Sequence, residues 1–130
     1  FNTSVAKNVA YGLKLRGDSD IVKKVEEGLE IVELSSIKDQ SALTLSSGEA
    51  QRVALARTMV LEPEVLFLDE PMANLDPLST KIIESLILKM RKNHNVTVVM
   101  ATHNLLQARR FAERVFVLRD GEIIQQGTGL

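Results

Sequence analysis

The sequence has no cysteine, so disulfide frameworks, thiolate zinc sites and cysteine nucleophiles are all excluded. It has no apolar stretch approaching the roughly 18–20 consecutive residues of a membrane-spanning helix. The best run, Ile82–Leu88, is short and is broken by Glu84. It has no excess of either charge: 16 Lys and Arg stand against 17 Asp and Glu, for a net charge of −1. That balance argues against a dedicated nucleic-acid binder, which neutralises phosphates with surplus Lys and Arg. Phe1-Asn2-Thr3-Ser4-Val5 has no basic segment followed by an apolar one, so it does not read as a signal peptide. It also has no initiator Met. The expectation is a chain beginning inside a larger gene product, with Gly127-Thr128-Gly129-Leu130 as an equally abrupt stop.

What is present is an ordinary globular composition, 45% hydrophobic and 25% charged over 130 residues. That length suits one small domain, and the composition indicates neither disorder nor a fibrous repeat. Val5–Leu15 has Val5, Val9 and Leu13 at helical spacing and ends at Arg16-Gly17. Asp18-Ser19-Asp20 offers an N-cap, after which Ile21, Val22, Val25, Leu29, Val32 and Leu34 follow a period near 3.6. A polar segment leads to a third helix over Ser46–Leu61, with Ala50, Val53, Ala54, Arg57 and Val60 on one face. Pro63 bars helix beyond Leu61.

The pattern then changes. Val65–Leu68 is a short continuous apolar run, as expected for a strand buried on both faces of a sheet. Leu78–Arg91 is amphipathic, Val96–Met100 is a second strand, and Asn104–Glu113 returns to helix. Val115–Leu118 and Glu122–Gln125 flank Asp120-Gly121, a two-residue hairpin signal. Alternating strands and helices predict an α/β fold with a mainly parallel sheet and a terminal antiparallel hairpin.

Two segments carry chemistry. Asp69 and Glu70 end the first strand, at the sheet edge where open α/β proteins bind ligands. One carboxylate there can hold Mg²⁺ while its neighbour polarises an attacking water. The plainer reading is a strand ending in a charged turn. Leu45-Ser46-Ser47-Gly48-Glu49 opens the third helix with small residues, and unpaired amides at a helix start form a ready anion site. Gly48 would let a phosphate approach the backbone. The plainer reading here is a Ser N-cap with Glu49 favouring the helix dipole.

Together these segments resemble the ABC ATPase family. Leu45–Glu49 with Gln51-Arg52-Val53-Ala54-Leu55-Ala56-Arg57 looks like the signature motif, and Val65–Glu70 looks like a Walker B strand with its following Glu. Ala73-Asn74-Leu75-Asp76 resembles the D-loop, and Ala101-Thr102-His103-Asn104 the switch-histidine loop. Ser47 stands where the common signature has Gly, Glu49 where it has Gln, and Ala73 where many members have Ser. No Gly-rich loop ending in Gly-Lys-Ser/Thr occurs in these residues, so the Walker A cradle for the β- and γ-phosphates is not among them.

The resemblance implies a partial P-loop NTPase fold, with residues 1–62 a helical signature subdomain and 63–130 the carboxyl-terminal part of the ATPase core. It implies ATP and Mg²⁺ as ligands. Ser46, Ser47, Gly48 and Glu49 would be nucleotide-binding, the first three against the γ-phosphate of ATP held by a second copy. Asp69 would organise the metal, Glu70 would act as general base, Asp76 would cross the dimer interface, and His103 would sense the γ-phosphate. His94 reads as an exposed turn residue. The implied role is the ATP-hydrolysing subunit of an importer, peripheral on the cytoplasmic face of the membrane. Its partners would be transmembrane permease subunits, a second ATPase domain and, indirectly, a solute-binding protein, with no nucleic acid. The wording of Ala101–Arg110 suggests an oxyanion such as tungstate, molybdate or phosphate. The alternatives are a soluble ABC ATPase of DNA maintenance or translation, and a non-enzymatic fragment. The 130 residues alone are expected to be inactive, and less stable than a complete domain because strands would lack partners.

Overall fold

In the computed structural model, which describes residues 1–128, the first half is a helical layer. Helix α1 spans Val5–Arg16 and starts at Ser4, whose Oγ accepts from the Lys7 amide at 3.3 Å. It ends at Gly17, where φ of 69° turns the amide back onto the Leu13 and Lys14 carbonyls. Glycine reaches that left-handed region without steric cost. Helix α2 covers Ile21–Ile31. Asp20 sits at its N-cap position, but its side chain makes no capping hydrogen bond among the described residues. Asp18 instead binds Lys24 at 3.0 Å and Arg16 at 3.2 Å. The periodic run expected to reach Leu34 stops at Ile31 because Glu33 adopts φ of 59°, and Val32 and Leu34 enter the core from the turn.

Helix α3 covers Ser47–Met59. The face expected for it is corrected in part: Ala50 and Ala54 are exposed, while Val53, Leu55, Ala56, Met59 and Val60 are buried. The reason is that α3 is covered on more than one side, by α1 and α2 and by the later helix α4 (Pro77–His94). A single amphipathic stripe therefore does not describe it.

The second half begins with β1 (Val65–Asp69), followed by α4, β2 (Thr97–Ala101) and α5 (Leu105–Phe111). The hairpin strands are β3 (Arg114–Arg119) and β4 (Glu122–Thr128). Strands β1 and β2 pair in parallel, with Val65 opposite Thr97 and Asp69 opposite Ala101. Burial on both faces of β1 is not met among the described residues: Leu66 is buried, whereas Phe67 is 76% exposed. Only the face carrying Leu66 joins the cluster that includes Ile83, Leu86, Ile87 and Met90 of α4. Each of β1 and β2 has one strand partner among the described residues.

The hairpin is a separate two-stranded antiparallel sheet. Asp120 and Gly121 have φ of 51° and 81°, the paired positive values that a type I′ turn requires. His94 is exposed at the last residue of α4, before Asn95 turns the chain with φ of 51°. One core runs from Val5 in α1 to Val96 before β2, so the helical layer and the parallel pair share it. Among the described residues no helix is long and apolar enough to cross a membrane. Gly129 and Leu130, at the end of the segment read as an abrupt stop, lie outside the described residues.

Candidate functional site

The parallel register builds the first half of the site. Because Asp69 pairs with Ala101, the residues that follow each strand leave the sheet side by side. Glu70 turns out of β1 with φ of 44°, and its amide donates to the Ala101 carbonyl at 2.9 Å. A non-glycine residue in that region is held there by its surroundings at a cost of about 1–2 kcal/mol. Buried Met72 and Pro71, with the Ala73 amide donating to the Glu70 carbonyl at 3.0 Å, anchor the turn behind it.

The Glu70 carboxylate is then addressed from the loop after β2. Its Oε1 accepts from the His103 amide at 2.8 Å and lies 2.6 Å from His103 Nδ1. Its Oε2 is 3.3 Å from Thr102 Oγ1, which is also 3.0 Å from Gln107 Oε1 and accepts from the Asn104 amide. A hydroxyl has one hydrogen, so Thr102 serves one of the two oxygens at a time. The His103 side chain and then its amide hold the Glu70 carboxyl below the usual carboxylate range. An ionised carboxylate has about four lone-pair sites; His103 takes those of Oε1 and Thr102 at most one on Oε2, which leaves Oε2 able to orient a water.

Asp69 is exposed and bonded to no side chain among the described residues. No group of three or more metal-ligating side chains occurs among them. Mg²⁺ commonly takes one or two carboxylates and completes its shell with waters and phosphates, so a lone Asp69 fits a metal that arrives with a nucleotide.

The second half is the start of α3. Ser46 is the N-cap, and its Oγ accepts from the Glu49 amide at 3.2 Å while Glu49 Oε2 accepts from the Ser46 amide at 2.8 Å. This reciprocal capping box occupies both side chains. The Ser47 and Gly48 amides have no acceptor among the described residues, which leaves two donors at the positive end of the helix. Gly48 is buried, and its open side faces its own chain: a Cβ there would lie 2.6 Å from Ser79 Oγ and 2.9 Å from Ser79 Cβ.

Asp76 caps α4. Its carboxylate accepts from the Ser79 amide at 3.0 Å and from the Ser79 hydroxyl at 2.5 Å, and these bonds hold it below the ordinary aspartate range. The structure thus brings Glu70 and His103 together, and brings Gly48 to Asp76 through Ser79. No hydrogen bond joins Ser46–Glu49 to Asp69, Glu70 or His103 among the described residues. Sequence reasoning missed Ser79 and the roles of Thr102 and Gln107. Asp76-Pro77-Leu78-Ser79 has the spacing of an N-cap and its third helical residue, which was the available signal.

Residues 2–73 match the sequence model of the family described as ABC transporter, and the chain belongs to that family. It is 43% identical to phosphate import ATP-binding protein PstB 2 of Natronomonas pharaonis, over 98% of this chain and 48% of that protein. It is 42% identical to the Fe(3+) ions import ATP-binding protein FbpC of Rhizobium etli, over 93% of this chain and 35% of that protein. In three dimensions it resembles cbiO1 of Clostridium perfringens, part of the ABC transporter complex cbiONQ. That match has a TM-score of 0.89 and 35% identity, covering 99% of this chain and 52% of the other. The chain therefore spans about half the length, or less, of the relatives it matches. The α/β fold is that of ABC ATPase structures.

Proposed function

We propose that this chain is the signature-bearing part of the ATP-hydrolysing subunit of an ABC importer. The observation that supports it most is the Glu70–His103 pair, 2.6 Å apart at the carboxyl edge of two parallel strands. Glu70 orients a water and takes its proton; His103, which holds the Glu70 carboxylate through two contacts, is the residue assigned to sense the terminal phosphate. Asp69 holds Mg²⁺, which supplies charge neutralisation on the phosphates when bound. The Ser47 and Gly48 amides receive the γ-phosphate of ATP held by a second copy, with Ser46 and Glu49 shaping that amide pair. Asp76 faces the same interface. In a symmetric pair each copy lends its α3 start to the other's nucleotide.

The partners are transmembrane permease subunits, a second ATPase domain and, indirectly, a solute-binding protein, which places the subunit on the cytoplasmic face of the membrane. Import is supported by the names of PstB 2 and FbpC, and an oxyanion such as phosphate by the name of PstB 2. Residues 1–62 serve as the signature subdomain and 63–130 as part of the ATPase core. The 130 residues hold no Gly-Lys-Ser/Thr loop, so hydrolysis needs a phosphate cradle beyond them.

Calorimetric titration of Mg-ATP tests the reading. The 130-residue chain alone is expected to bind weakly or not at all. The complete gene product is expected to bind and hydrolyse ATP, losing about 10²-fold or more in rate with Glu70→Gln. Strong binding and turnover by the 130 residues alone would contradict the account of the cradle.

A further inference from the structure

The space that a side chain at Gly48 would fill is taken by Ser79, from the first turn of α4. No backbone strain at Gly48 calls for glycine, since the positive-φ glycines among the described residues are Gly17 and Gly121. The glycine is needed because the start of α3 rests directly on Ser79. Ser79 is in turn fixed by Asp76, which accepts from both its amide and its hydroxyl. One residue therefore touches both loops to which the proposed function assigns nucleotide-facing roles.

We infer that Ser79 is a positioning residue that locks the amino terminus of α3 to the Asp76 turn, so that the Ser47 and Gly48 amides and Asp76 reach a nucleotide as one rigid unit. The inference rests on the proposed function for what that unit meets, but the contact itself does not. A Cβ at Gly48 would have to displace either α3 or Ser79, because backbone-proximal atoms, unlike a flexible side-chain end, cannot swing aside. A displacement of about 1 Å in a positioning group can cost on the order of 10²-fold in rate. The two halves of the role separate by substitution. Ser79→Ala removes the hydroxyl, and with it the bond to Asp76 and the 2.6 Å contact, but keeps the Cβ at 2.9 Å, whereas Ser79→Gly removes both atoms and opens room for a Cβ at position 48.

The experiment is a double-mutant cycle in the complete gene product, reading kcat, KM for ATP and thermal midpoint. Gly48→Ala is expected to lower kcat by about 10²-fold with KM much less changed. Adding Ser79→Gly is expected to recover most of that loss, although Ser79→Gly alone weakens the first turn of α4. A double variant no faster than Gly48→Ala would overturn the positioning role while leaving the ATPase reading intact. If the wild-type protein and Glu70→Gln both failed to hydrolyse ATP, the proposed function and the positioning role would fall together. The thermal cycle would then show the Gly48–Ser79 contact to be a packing contact only.

Discussion

The Glu70 carboxylate receives His103 twice on one oxygen, from the amide at 2.8 Å and at the imidazole Nδ1 at 2.6 Å. The pair depends on the parallel register of Asp69 with Ala101, which releases both residues at the same edge. The His103 side chain is 87% exposed, so it contributes little to the folded core. His103→Ala is therefore expected to move the thermal midpoint only slightly while reducing ATP turnover by about 10²-fold, the scale for losing one preorganised polar group. Equal turnover by the variant and the wild type would remove His103 from the site.

The reciprocal bonds of Ser46 and Glu49 define the start of α3, and glutamine can replace glutamate in such a box. Chemical denaturation should therefore show Glu49→Gln close to wild type and Ser46→Ala less stable by about 1 kcal/mol. This also accounts for Glu49 standing where the common signature has Gln. An unchanged Ser46→Ala midpoint would mean that the cap is not formed in solution.

Asp76 is held below the ordinary aspartate range by the Ser79 hydroxyl first and the Ser79 amide second. The sign follows from linkage: the bonds favour the ionised form, so their contribution is present above the unfolded value and is lost as pH falls through the lower folded value. Carbon-13 titration of the Asp76 carboxyl is expected to show an upward shift in Ser79→Ala. A titration that does not move would contradict the hydroxyl bond.

Gly17 closes α1 with φ of 69°, and none of the described residues lies within 4 Å of the position a Cβ would take. Gly17→Ala therefore isolates the backbone cost of the left-handed conformation, about 1 kcal/mol, readable as a lower denaturation midpoint. A rise in stability would mean that the turn relaxes to another conformation.

The elements that were legible are those marked by local rules. The α1 stop at Gly17, the Asp120-Gly121 turn and the two strands, expected over Val65–Leu68 and Val96–Met100 and found over Val65–Asp69 and Thr97–Ala101, follow from backbone freedom and apolar runs. The Ser46–Glu49 box was equally readable as an N-cap. What periodicity could not give is which neighbours cover each face. Ala50 and Ala54 lie on the stripe expected for α3 yet are exposed, because three helices pack around α3 rather than one. Phe67 belongs to an apolar run but points away from the only layer that covers β1 among the described residues. Ser79 was hidden for a similar reason: its contact to Gly48 joins two helices distant in sequence, and a serine in a first turn looks like any capping residue.

The central claim is that Glu70, held by His103 at the end of β1, activates the water that attacks ATP. The most direct measurement compares Mg-ATP hydrolysis by the complete gene product and its Glu70→Gln variant, with nucleotide binding followed in parallel. The account predicts that binding persists while turnover falls by about 10²-fold or more. Turnover within a few-fold of wild type in Glu70→Gln would contradict it.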